Sequence, residues 1–153
     1  RAANTDDKRL LIVYGAEWCI WCHLFKEHIK GNSGAFNYTI EGQTGYKMTE
    51  NASDIDRTQA FDLAGFVSKT FVVVNIEAQH SFDGYSVLQH TGADKHIGQT
   101  IPYIFVVDKN GEFIRDMADT VENKQLEKRR DGDDWYRGYN RTELMSELRK
   151  LAD

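Results

Sequence analysis

Cysteine and proline are scarce in this chain. Its 153 residues hold two cysteines and one proline, and both cysteines fall inside the stretch WCIWC, Trp18 to Cys22. Cysteines separated by two residues cannot clip distant segments together, so a disulfide-stapled scaffold is excluded and the pair is left with local chemistry at one site. Long apolar runs are missing too: none approaches the roughly 20 residues that a membrane-spanning helix needs. The net charge is -5 with acids and bases interspersed, and without a basic face to neutralise phosphates a nucleic-acid partner is not expected. The densest basic run, EKRR at Glu127 to Arg130, stands beside DGDD and reads as a solvated loop. The chain opens on Arg1 without an initiator methionine, which fits a processed form that has lost an export signal or anchor.

What is present suffices for one domain over residues 1–153, with 41 % hydrophobic residues to build its core. Leu10 to Tyr14 is a continuous apolar run rich in branched residues, the pattern of a buried strand. Directly after it Cys22, Phe25 and Ile29 recur at helical spacing, and GNSG at Gly31 to Gly34 supplies a stop. Residues 35–69 show weak periodicity and read as an insertion, with a helix begun by Asn51 or Ser53 and with Phe36, Tyr38 and Tyr46 as a partner surface or a cover for a sheet edge. A second buried strand is predicted at Phe71 to Ile76 and a short helix at Tyr85 to His90. Tyr103 to Val107, the turn DKNG and Glu112 to Met117 read as an antiparallel hairpin, with Pro102 just before it. Residues 118–138 are a variable charged segment with a short strand at WYRG. Asn140 and Glu143 have capping-box spacing, and Leu144, Leu148 and Leu151 line one face of a final helix.

The first signature is therefore strand, tight turn, helix, with the cysteines on the first helical turn. There the free N–H groups and the positive end of the helix dipole favour thiolate over thiol at Cys19, expected to be the exposed, reactive sulfur. Cys22, one turn in and more buried, would resolve a mixed disulfide. Other chemistry stays open on these residues alone. CIWCH satisfies the C-x-x-C-H pattern of haem attachment. A zinc site would have to recruit His28, His80, His90 or His96, and a copper or zinc metallochaperone-type module would use the two thiols with a histidine such as His23. Two cysteines that merely pack is the remaining alternative.

VYGAEWCIWC resembles the active-site segment of thioredoxin-fold proteins, and TIPYIFVVDKNGE resembles their cis-proline strand and following hairpin. The resemblance covers about 90 residues in pieces, with the two motifs in the right order and about 80 residues apart. It implies an α/β, thioredoxin-like fold: a central mixed sheet of four to five strands flanked by helices, with the insertion after the active-site helix. It implies a thiol–disulfide oxidoreductase that works on protein disulfides and is recharged by an upstream redox partner. Cys19 would be the nucleophile, Cys22 the resolving thiol, and Trp18, Ile20, Trp21, Ile101 and Pro102 the substrate groove, with Pro102 cis and Trp18 shielding one side of the thiol. No metal or cofactor is assigned, and a monomer is expected. The buried acid and lysine of thioredoxins fall here on Val13 and Val73, so proton transfer passes to Glu17 or His23, the nearest candidates. Tryptophan before the second cysteine and histidine after it resemble a subgroup of bacterial exported or membrane-linked proteins, which favours an extracytoplasmic reductase.

Overall fold

In the computed structural model, residues 7–34, 36–38, 46–48, 52–77, 82–98, 101–117, 126–131 and 134–153 are described. The chain is an α/β protein built on a four-stranded mixed sheet of order β4-β1-β5-β6. Strand β1 (Arg9–Gly15) runs parallel to β4 (Phe71–Glu77) and antiparallel to β5 (Tyr103–Val107), which pairs with β6 (Phe113–Asp116). Parallel neighbours need a long crossover, and the segment carrying α1 (Ile20–Ile29) and α2 (Asp54–Thr70) supplies it.

Burial explains why β1 reads as an unbroken apolar run. Leu11 and Val13 face a core filled by Leu24 and Phe25 of α1, Leu63 and Val67 of α2, and Leu144, Leu148 and Leu151 of α4 (Arg141–Ala152). Ile12 and Tyr14 face the other side, against Phe105, Val107 and Leu88 of α3 (Phe82–Thr91). A strand covered on both faces has no position left for polar residues.

Residues 35–69 are not one inserted segment. Their second half is helix α2, whose Leu63 and Val67 are core residues, and which Ser53 starts through a reciprocal capping box with Asp56. Their first half forms β2 (Phe36–Tyr38) and β3 (Tyr46–Met48), which join β7 (Leu126–Asp131) and β8 (Asp134–Tyr139) in a second sheet of order β3-β2-β8-β7. The EKRR run is thus strand rather than loop, and the strand expected only at WYRG spans all of β8. The reason is long-range pairing: Phe36 stands opposite Arg137, about 100 residues away in sequence, and no local pattern encodes that partner. The side chains of Phe36, Tyr38 and Tyr46 lie outside the described residues.

No described helix is long and apolar enough to cross a membrane.

Candidate active site

Strand β1 delivers the chain to Gly15 and Ala16, a short turn follows, and Cys19 becomes the N-cap of α1. Its backbone is extended (φ -86, ψ 109) and its sulfur accepts the N–H of Cys22 at 3.3 Å. The turn is closed by Cys19 N–H donating to the Ala16 carbonyl at 3.0 Å. A sulfur replaces the usual hydroxyl or carboxylate of a cap, and the first turn carries no acidic residue to oppose its negative charge.

The two thiols titrate as a pair. A hydrogen bond from the Cys22 thiol, and then N–H bonds from Cys22 and Trp21, hold the Cys19 thiol below its ordinary range, with burial opposing them. The same bond, helped by burial, pushes Cys22 far above it. Of the two, Cys19 is therefore the thiol that ionises first, and Cys22 the one that keeps its proton longer.

Cys19 is less open than the sequence suggests: it is 4 % exposed and Cys22 2 %. Ala16, Trp21 and Ile101 pack around them, while Trp18 stands 68 % exposed on the rim and does not join that packing. The expected shielding thus comes from Trp21 and Ile101, because Trp18 sits before the helix, on the outside of the turn. The Ile101–Pro102 peptide is cis, and its Ile101 carbonyl oxygen lies 3.7 Å from the Cys19 sulfur. Pro102 itself is buried; of the half-buried Ile20, Trp21 and Ile101, the last two pack on the cysteines whereas Ile20 packs against the main core. Because β1 and β5 are antiparallel neighbours with Tyr14 opposite Tyr103, the cysteines that follow β1 and the Ile101–Pro102 peptide that precedes β5 meet at the same end of the sheet.

Glu17 and His23 are joined through the Glu17 backbone. His23 Nε2 donates to the Glu17 carbonyl at 2.6 Å, and Glu17 N–H donates to Glu77 Oε2 at 3.1 Å. These bonds pin the Glu17–Trp18 turn between α1 and the end of β4. The local charge that favours the Cys22 anion is Lys26.

Several residues escaped the sequence reading. Tyr139, at the end of β8, donates its hydroxyl to the Trp21 carbonyl at 3.1 Å and its N–H to His28 Nε2 at 2.9 Å. Its ring meets those of Trp21, Phe25 and His28 edge-on, so it buttresses α1 from behind. Burial, and then the negative charge that the nearby sulfurs can carry, keep its phenol well above the ordinary range. A cleft of 220 Å³ adjoins Cys22, lined by Val13, Gly15, Lys26, Asn75 and Glu77 among others. Lys26 was legible, four residues after Cys22 and so on the same helix face; Tyr139 and Glu77 come from distant strands and left no local signal.

Among the described residues, no three histidine, cysteine or acidic side chains gather as a metal site. His28 is packed under Tyr139, His90 binds the Ser86 carbonyl and His96 stacks on Phe113, so the histidines considered for zinc are scattered; His80 lies outside the described residues. Fold and site together define an α/β protein with a paired-thiol helix cap. Comparison with protein-family models, with curated proteins and with solved structures finds no match for this chain.

Proposed function

We propose that the protein is a thiol–disulfide oxidoreductase with a thioredoxin-like arrangement, exchanging disulfides with protein partners through Cys19 and Cys22. The observation that carries this reading is the placement of the Cys19 sulfur, capping α1 and lying 3.7 Å from the carbonyl of the cis Ile101–Pro102 peptide. In the reducing direction the Cys19 thiolate attacks one sulfur of a partner disulfide, and the partner's other sulfur leaves as a thiolate. Cys22 then gives up its proton and attacks the Cys19 sulfur of the mixed disulfide. The partner departs as a dithiol carrying two electrons, and the protein is left with a Cys19–Cys22 disulfide for an upstream thiol partner to reduce.

Narrow exposure at Cys19 makes access selective. An extended, disulfide-bearing segment lying between Trp18 and Ile101 reaches the sulfur where a flat folded surface does not. The reductase direction is part of this proposal. An extracytoplasmic setting belongs to the same proposal.

Cys19→Ser is expected to abolish reduction of insulin disulfides, and Cys22→Ser to accumulate mixed disulfides visible on non-reducing gels. Full activity in Cys19→Ser overturns the assignment, and stoichiometric Cu(I) binding without thiol exchange replaces it with a metal-binding module. The couple's reduction potential checks direction, about -270 mV suiting a reductant and about -120 mV an oxidant.

A further inference from the structure

The resolving step poses a problem that the Cys19 side of the site does not solve. Cys22 is 2 % exposed and holds its proton through its bond to Cys19, yet it must lose that proton to attack. At the positions where the resemblance would place an acid and a lysine, the sheet carries Val13, buried beside Cys22, and Val73, packed on the core. Neither can take a proton.

A route exists on another side. Cys22 lines a cleft there beside Gly15, whose lack of a side chain lets the two pack closely: a Cβ on Gly15 would stand 2.7 Å from the sulfur. It is the 220 Å³ cleft, enough for several waters at about 30 Å³ each. The charged and titratable groups around Cys22 are Cys19 at the cap, Lys26 on α1, Glu77 on β4 and Tyr139 on β8. Tyr139 keeps its own proton. That leaves Glu77 as the carboxylate lining the cleft, held at its mouth by the bond from Glu17 N–H, and Lys26 as its positive charge.

We infer that this cleft is the proton exit of the resolving thiol, with the Glu77 carboxylate accepting the proton through water and the Lys26 ammonium steadying the Cys22 anion as it forms. The inference rests on the thiol–disulfide reading above. In balance, the Cys22 S–H bond breaks toward water, that water passes a proton to Glu77, and the sulfur's electron pair forms the bond to Cys19. The Cys19–partner bond breaks, and the partner leaves as a thiolate that solvent protonates. Glu77 acts through water, and Lys26 is a positioning residue for the anion.

The two thiols can be followed separately by mixing the reduced protein rapidly with an aromatic disulfide reagent that releases a coloured thiolate. Attack by Cys19 releases the first equivalent and resolution by Cys22 the second. At neutral pH, Glu77→Gln is expected to slow the second release relative to the first by about tenfold or more, below the roughly 10²-fold that a directly placed base contributes. The deficit shrinks as pH rises and hydroxide takes the proton directly. Lys26→Met slows the second release and moves its pH midpoint upward, and Lys26→Arg restores both. A second release unchanged relative to the first in Glu77→Gln and Lys26→Met overturns the proton exit. Absence of any first release from the wild-type protein overturns the thiol–disulfide reading itself.

Discussion

Cys22 answers to two neighbours at once. Its thiol donates to Cys19, which sets the ionisation of the pair, and its sulfur leans against the backbone of Gly15 so closely that no side chain fits between. Gly15→Ala is therefore expected to displace Cys22 from the helix face. Overpacking of this kind costs about 1–3 kcal/mol, which for a chain of this length lowers the melting temperature by about 2–4 °C per kcal/mol. The same change should weaken the Cys22–Cys19 hydrogen bond and raise the Cys19 thiol toward its ordinary range. Thermal melts and the pH dependence of Cys19 alkylation check the two effects; a variant that melts and alkylates like the wild type contradicts the packing described.

Helix α1 owes its position to elements that lie far from it in sequence. Tyr139 of β8 bonds the Trp21 carbonyl and supports Phe25 and His28 from behind. The loop that follows α1 is tied by Arg141, the first residue of α4, which donates to the carbonyls of Asn32 and Gly34 at 3.1 and 3.4 Å. Arg141 also pairs with Asp56 of α2 at 3.4 Å, both side chains buried. Removing one partner strands the other charge in the interior, so Arg141→Met is expected to destabilise the protein by about 3–5 kcal/mol. Denaturant unfolding measures this, and a loss below about 1 kcal/mol, the value of an exposed pair, would show that the junction is solvated. The two chain-local parts of this junction were readable beforehand. The sequence offers Asn51 or Ser53 as one cap and Asn140 as the other, and the side chains of Ser53 and Asn140 accept from Asp56 and Glu143 N–H at 3.1 and 3.0 Å. Arg141 was not singled out, since a charged residue at a helix start looks exposed until another helix end is brought against it.

Across the whole molecule, protons are held where the unfolded chain would release them. Cys22, Tyr139 and Tyr103 all sit above their ordinary ranges, Cys22 by its bond to Cys19 and then burial, Tyr139 by burial first, and Tyr103 by burial and its bond to Asp116. Above about pH 8.5 for a free thiol and about pH 10 for a free phenol, the unfolded state carries fewer protons than the native state. By linkage, stability is full below those values and falls as pH rises through them toward the raised native ones. Cys19 acts in the opposite sense: its lowered thiol adds stability above the unfolded value, lost as pH falls through the folded one. The reduced protein is thus expected to lose stability progressively above about pH 9, by more than its disulfide form, in which neither thiol titrates. Unfolding curves of both forms at pH 7 to 11 check this, and equal pH dependence would remove the thiols from the account.

Local pattern in the chain carries part of this architecture. It placed β1, β4 and β5 through their apolar runs, β6 through the hairpin turn before it, the helix that begins at the cysteines, the cap at Asn140 and, between Asn51 and Ser53, the cap of α2. It also set Pro102 ahead of its strand and the thiols at the positive end of a helix dipole. Only the tertiary structure decided the rest: the second sheet, the core role of α2, the near-complete covering of Cys19, and the gathering of Tyr139, Lys26 and Glu77 around Cys22. Periodicity and capping act over one or two turns of chain, whereas burial, long-range strand pairing and the electrostatics of a buried sulfur depend on which distant residues are packed beside it.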